Sequence, residues 1–263
     1  MTPKKVAIDA AKNAGKLIKN SLGTLSSENI QNKDVFDFVT NVDKESEQLI
    51  IDSIRKHFPD HEILAEESGK TGRKQVYRWI IDPLDGTTNF IHSYPNSAVS
   101  IALEENGTLI LGVIYDPFRD ELFYAEKGKG AFLNDRPIHV SKRSNLNQCL
   151  IATGFPFRNK DFLSLYWQVL SEIFLKVSGI RRTGSAALDL AHIACGRFDG
   201  FWELKLSPWD VAAGSVIIQE AGGKITDFAG ENNHVWTGNV IASNNLVHDF
   251  LLEKVTNVFR ENP

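Results

Sequence analysis

The residues best placed to do chemistry in this chain are two aspartates three positions apart, in Asp82-Pro83-Leu84-Asp85-Gly86-Thr87-Thr88-Asn89. The run before them, Val76-Tyr77-Arg78-Trp79-Ile80-Ile81, reads as a buried β-strand of apolar and aromatic residues. Ionised carboxylates at the end of such a strand are costly unless a cation or hydrogen-bond donors meet them. Gly86 removes steric bulk, Thr87 and Thr88 bring hydroxyls, and a helix beginning here would offer unpaired N–H groups as a seat for a phosphate. Two hard carboxylates beside a phosphate seat meet the requirement of Mg²⁺-dependent phosphoryl transfer. The bland alternative is an Asp-Gly turn with Asp85 as a helix cap. Three more acids sit at the ends of apolar elements: Glu66 after Ile63-Leu64-Ala65, Asp43 at the head of an amphipathic helix, and Asp210 just after Pro208-Trp209. Each has an ordinary reading alone, Glu66 as an exposed strand-end acid, Asp43 and Asp210 as helix-terminal charges or caps. Recurring together, such stations point to a hard cation.

The elements that must position these acids are legible in outline. Thr2-Pro3 starts a helix in which Val6, Ala7, Ala10, Ala11, Ala14, Leu17 and Ile18 recur at helical spacing. A polar stretch from Ser26 to Asp34 has little to bury and is expected to be mobile. A second helix follows with Leu49, Ile50, Ile54 and Phe58 on one face, and Pro59 ends it. Beyond the central motif the pattern turns to strands. Ala98 to Glu104 and Leu109 to Tyr115 flank an Asn106-Gly107 hairpin signal, and the meander continues through Leu122 to Ala125 and Gly130 to Leu133. The polar segment Ser141 to Gln148 is the expected boundary between an N-terminal half, 1–142, and a C-terminal half, 143–263. After it strands and helices alternate: Cys149 to Ala152, Phe162 to Val177, Ala186 to Cys195, Phe198 to Glu203, Val211 to Ala221, Ile225, Val240 to Ala242 and Leu246 to Phe259. The expected class is a layered α/β fold, with an antiparallel sheet in the first half and a mixed α/β second half.

Composition narrows the function classes. Of 263 residues, 42% are hydrophobic and 24% charged, as in ordinary globular proteins, and a net charge of −4 argues against a nucleic-acid scaffold. Cys149 and Cys195 have no metal-ligand spacing and read as free thiols in a reducing compartment. The N-terminal stretch is amphipathic rather than continuously apolar, and no run approaches the roughly 20 residues that span a bilayer. A cytoplasmic protein without membrane or nucleic-acid partners is expected. No G-x-S-x-G or nucleophile triad is present.

With these residues in view, the chain resembles the inositol monophosphatase family, the lithium-sensitive Mg²⁺-dependent sugar phosphatases. The resemblance rests on Trp79-Ile80-Ile81-Asp82-Pro83-Leu84-Asp85-Gly86-Thr87-Thr88-Asn89-Phe90 and on Trp209-Asp210-Val211-Ala212-Ala213-Gly214, with Ala65-Glu66-Glu67-Ser68 and Asp37-x-x-Thr40-x-x-Asp43 in order between and before them. It implies an αβαβα sandwich, a homodimer, and hydrolysis of a small phosphorylated substrate such as inositol monophosphate. It also implies two to three Mg²⁺ ions per site. Glu66, Asp82 and the Leu84 carbonyl correspond to ligands of the first, and Asp82, Asp85 and Asp210 to those of the second. A third is expected near Glu66 and the loop before Asp37. The resemblance gives the phosphate to the N–H groups of Gly86 and Thr87, and the orientation of water to Glu66 with the Asp43–Thr87 pair.

Substrate hydroxyls are expected to meet Gly184, Ser185, Ala186 and Glu203, together with Asp85 and Asp210. Glu203 alone reads as a solvated strand residue. Lys205 departs from the simplest inositol-specific pattern and is similar to relatives with broader substrates. It reads as a surface lysine or as the contact for a second phosphate, as in fructose 1,6-bisphosphate or the 2′-phosphate of NADP, and Lys33 is a similar case. A phosphatase acting on NADP(H), fructose 1,6-bisphosphate or 3′-phosphoadenosine nucleotides is the alternative within the same chemistry. His92, His139 and His192 read as structural. A regulatory protein-binding role, known among bacterial relatives, is the alternative from another class.

Overall fold

Helix α1 (Pro3–Ser21) begins where the sequence predicts, with Thr2 capping through its side chain and Pro3 in the first turn. The structure, a computed structural model, describes residues 1–26, 28, 30–34, 37–73, 75–157 and 159–260, with backbone alone at 32–34, 37 and 260. The Lys33 and Asp37 side chains singled out by the sequence therefore lie outside the described residues. The segment expected to be mobile contributes strand β1 (Ile30–Asp34), which pairs antiparallel with β2 (Asp37–Thr40). This strand rests on backbone pairing, which the side-chain pattern of a polar stretch does not report. On α2 (Asn41–His57) the buried apolar residues are Val42, Ile50, Ile51 and Ile54, while Leu49 faces solvent, one position off the expected stripe.

Eight strands form one predominantly antiparallel sheet: β3 (Glu62–Ala65), β4 (Gly69–Thr71), β5 (Tyr77–Asp85), β6 (Ala98–Glu105), β7 (Thr108–Asp116), β8 (Glu121–Glu126), β9 (Ala131–Leu133) and β10 (Arg136–Ile138). They run in the order β10-β9-β8-β7-β6-β5-β3-β4, with β3 and β5 its parallel pair. The second sheet has the order β12-β11-β13-β15-β14, from β11 (Leu150–Thr153), β12 (Gly179–Arg181), β13 (Gly200–Glu203), β14 (Lys224–Thr226) and β15 (Val240–Ser243). Helices fill the spaces between and outside the sheets. Strand alternation shows how: in β5, Trp79 and Ile81 join the core under α1 and α2, while Ile80 joins the opposite core. That opposite core is the middle layer, where α5 (Ala186–Ala194) and α6 (Pro208–Glu220) are buried between the two sheets. In β13, Phe201 faces this layer and Trp202 faces the outer helices α4 (Leu163–Phe174) and α7 (His248–Arg260). The result is an αβαβα sandwich. Among the described residues no helix is long and apolar enough to cross a membrane.

Candidate active site

Strand β5 delivers two aspartates, and a local irregularity decides where they point. Asp82 pairs with Ser100 and Asp85 with Ala98 on β6, so three steps along β5 match two along its partner. Residues three apart on a regular strand face opposite sides; the extra residue of this bulge turns Asp85 back toward the side of Asp82. Asp210 arrives from the middle layer, in the first turn of α6. Ser100 donates its hydroxyl to the Trp209 carbonyl at 3.0 Å, tying the start of α6 to the strand position opposite Asp82. Carboxylate oxygens of Asp82, Asp85 and Asp210 then lie within 4.8 Å of one another.

Each of the three acids is oriented through one oxygen. Asp82 Oδ1 accepts the Leu84 N–H at 2.9 Å, and Asp210 Oδ2 accepts the Ser207 N–H at 2.7 Å. Asp85 Oδ2 accepts the Ser185 hydroxyl at 2.5 Å and the Ala187 N–H at 2.8 Å. Burial holds Asp82 well above the usual carboxylate range, and the charges of Glu66, Asp85 and Asp210 push the same way. Asp210 is raised likewise, by burial and then by Asp85 and Glu66. Asp85 is pushed up to about 6 by burial, against the pull of its Ser185 and Ala187 donors. Glu66, in the turn after β3, is not part of the close group, but its charge reaches all three aspartates and it lines the same cleft. The donors fit Mg²⁺: they are hard oxygens without histidine or cysteine among them, and their mutual repulsion is what a cation relieves.

The cleft, about 180 Å³ in volume, is also lined by Leu84, Gly86, Thr87 and Thr88. Gly86 precedes α3 (Thr87–Ile91) with φ of 95°, a left-handed conformation, and a Cβ there would stand 2.9 Å from the Asn96 carbonyl oxygen. Among the described residues no side chain caps α3. The Thr87 hydroxyl lies 2.9 Å from Asp43 Oδ1 and 3.1 Å from the Leu84 carbonyl oxygen. Asp43 itself is fully buried beneath Thr87 and outside the cleft lining. Its Oδ2 accepts the Thr40 N–H at 2.9 Å and the Thr40 hydroxyl, so it is a helix-capping residue as well. Burial pushes Asp43 up, opposed by its bonds to Thr40 and Thr87.

On the far wall stand Gly184, Ser185, Ala186 and Glu203. The Ser185 hydroxyl is buried and donates to Asp85 while it caps α5. Glu203 lies directly over Gly154, where a Cβ would come within 1.8 Å of Glu203 Oε1. The cleft also holds residues that the sequence reading missed: Phe38, Phe155, Phe157, Arg182 and Asp189. Arg182 lays its guanidinium 5.1 Å from the Phe157 ring and 5.9 Å from that of Phe155. Asp189 accepts the Thr183 hydroxyl at 2.8 Å and is held well above the usual range, chiefly by burial. An acid inside the apolar run Ala186-Ala187-Leu188-Asp189-Leu190 was a signal that could have found it; Arg182 carried none. Lys205 is exposed at the rim with its ammonium 5.7 Å from the Phe162 ring. His192 packs edge-on to Phe123 and Phe198, pushed down to about 4 by burial, and among the described residues no histidine joins the acid group.

At the seam of a layered α/β sandwich, an acid-lined cleft thus brings three carboxylates close enough together to hold a hard cation. The chain belongs to the inositol monophosphatase family, whose family model matches residues 3–261. It is 48% identical over 240 residues to the Nus factor SuhB of Escherichia coli K12, covering 91% of this chain and 90% of that protein. Among solved structures it is similar to the extragenic suppressor protein SuhB of Bartonella henselae, with a TM-score of 0.91 at 44% identity, covering 95% of this chain and 97% of that one. The inositol monophosphatase from Anabaena (Nostoc) sp. PCC 7120 superposes with a TM-score of 0.87 at 44% identity, covering 97% and 95%.

Proposed function

We propose that this protein is a Mg²⁺-dependent phosphomonoesterase that hydrolyses inositol monophosphate to inositol and phosphate. The observation that carries the reading is the approach of Asp82, Asp85 and Asp210 to within 4.8 Å on the floor of one cleft. These three, with Glu66 and the Leu84 carbonyl, would hold two to three ions, Asp82 being shared. Mg²⁺ bound there supplies Lewis-acid stabilisation of phosphoryl charge and acidifies water. The Thr87 hydroxyl donates a hydrogen bond to Asp43 Oδ1, which leaves its oxygen to accept one from the attacking water. Glu66 holds that water from the other side, and the N–H groups of Gly86 and Thr87 meet phosphate oxygens. Glu203 and Gly184 face the substrate's hydroxyls. The chain is taken as a cytoplasmic homodimer working as two halves, 1–142 and 143–263.

A second reading within the same chemistry draws on Arg182 and Lys205, two cations at the rim of an otherwise acidic cleft. They favour a substrate with a second anionic group, such as fructose 1,6-bisphosphate, NADP(H) or 3′-phosphoadenosine 5′-phosphate. That the Escherichia coli relative is a Nus factor supports a regulatory protein-binding role beside catalysis. Phosphate release with Mg²⁺, run in parallel on inositol 1-phosphate and these three, tests the reading. Turnover of none of them by protein that binds Mg²⁺ refutes the esterase assignment for this substrate set. Asp82→Asn separates the classes, since it stops turnover and spares a partner-binding role.

A further inference from the structure

Helix α2 spends one turn of its buried face on three polar residues, Asp43, Ser46 and Glu47, at 0%, 0% and 4% exposure. Spacings of three and four put them side by side, and each reaches a different segment of the site. Asp43 takes the Thr87 hydroxyl. The Ser46 hydroxyl donates to the Pro83 carbonyl at 2.8 Å. The Glu47 carboxylate takes two successive backbone donors, the Glu67 N–H on Oε2 at 2.8 Å and the Ser68 N–H on Oε1 at 2.9 Å.

We propose that Ser46 and Glu47 are positioning residues that set the cation affinity of the acid cluster, an inference that rests on the function proposed above. Glu66 sits at the point where β3 ends: its own N–H reaches the Ile81 carbonyl at 3.1 Å, and the chain then leaves the sheet in a turn. Glu47 clamps the two residues that follow, so Glu66 is fixed on both sides of its Cα. Charge-assisted pairs of this kind are short and directional, and they remove the freedom a turn would otherwise have. Ser46 does the corresponding work at the bulge. Pro83 lies between Asp82 and Leu84 in the irregular part of β5, and the Ser46 hydroxyl anchors its carbonyl. Packing alone does not explain Glu47. A carboxylate buried one turn from Asp43 adds negative charge to a region already crowded with it, where an apolar residue would fill the space at lower electrostatic cost.

The test compares Glu47→Ala, Glu47→Gln and Ser46→Ala with Ile54→Val, a cavity-forming control in the core of the same helix. Mn²⁺ affinity of the metal-free proteins is read from the free-ion paramagnetic resonance signal. It is read beside the Mg²⁺ concentration for half-maximal phosphate release and the unfolding midpoint in chelator. Glu47→Ala is expected to weaken Mn²⁺ binding about 10- to 100-fold, as removing partners of metal ligands does, while Ile54→Val lowers the midpoint and leaves affinity unmoved. Glu47→Gln falls between, because one amide oxygen serves one N–H while the amide NH₂ opposes the other. Mn²⁺ binding within about twofold of the parent in the Glu47 variants, below the range of outer-shell effects, overturns the inference whatever the midpoints do. If Glu47→Ala does not fold, Glu47→Gln and Ser46→Ala decide by the same criterion. A parent protein that neither binds Mn²⁺ nor releases phosphate fails the functional reading instead, and the two failures are distinguishable.

Discussion

Substituting Asn for Asp85 in protein stripped of divalent ions isolates the electrostatic strain that the cluster carries without a cation. The Asp85 carboxyl is pushed up from its ordinary 3.8 to about 6. At about 1.36 kcal/mol per tenfold change in proton affinity, ionising it in the folded state costs about 3 kcal/mol at pH 8. The sign follows from the order of titration: the unfolded chain loses this proton near 3.8 and the folded chain near 6, so stability falls as pH rises through that window. Well below 3.8 the group is protonated in both states and the cost vanishes, and at pH 4 only a small part of it remains. Asn is neutral throughout, and its Oδ1 can still accept from Ser185 and Ala187, though a neutral acceptor gives back about 1 kcal/mol. Asp85→Asn should therefore be more stable than the parent by about 2 kcal/mol at pH 8 and no more stable at pH 4. Relief of the neighbouring Asp210 adds in the same direction. Urea unfolding followed by circular dichroism in chelator, at both pH values, measures it. A variant no more stable at pH 8, or equally stabilised at both, would refute the argument. Excess Mg²⁺ should reverse the order, because only the intact site gains binding free energy on folding.

Asp82→Asn should reduce Mg²⁺-dependent phosphate release by more than about 100-fold, beyond the effect typical of residues outside the ligand set, with the circular dichroism spectrum unchanged. Thr87→Val should lose about 100-fold or more in kcat in the same assay, and Thr87→Ser should retain most of it, if the hydroxyl relays a proton toward Asp43. Gly86→Ala should cost about 1–2 kcal/mol or more in urea unfolding, since φ of 95° is unfavourable for alanine and its Cβ would press on the Asn96 carbonyl. Glu203→Gln should raise KM for a polyhydroxylated substrate about tenfold with little change in kcat, the scale of one charged hydrogen bond.

The fold was legible where burial writes a period into the sequence. Val6 to Ile18 on α1, Trp79-Ile80-Ile81 on β5 and the Asn106-Gly107 hairpin all carry side-chain patterns that only one local structure satisfies. Short strands at sheet edges were not legible. Strand β1 consists of Ile-Gln-Asn-Lys-Asp and β10 of Arg-Pro-Ile, and neither has an apolar alternation to betray it. The β3–β5 parallel pair was hidden for another reason, since nothing in either strand says which neighbour it takes.

At the site, the ordinary reading of each acid leaves room for the chemical one. Asp43 was weighed as a helix-terminal charge and is one: Oδ2 closes a cap on Thr40 while Oδ1 takes the Thr87 hydroxyl. Asp210 likewise takes the Ser207 N–H and still stands within the acid group. A carboxylate has two oxygens and about four acceptor positions, so one can be spent on fixing the side chain while the other faces the cleft. A cap is then an efficient place for a ligand, because the helix start that needs the acid also immobilises it. The bulge between Asp82 and Asp85 works by the same logic in a strand, converting a spacing that should divide the two acids into one that unites them. What sequence spacing cannot show is the third dimension of that arrangement. Ser46 and Glu47 belong to an unremarkable helical surface pattern until α2 is laid across Pro83 and the turn after Glu66, and only the packing reveals what they hold.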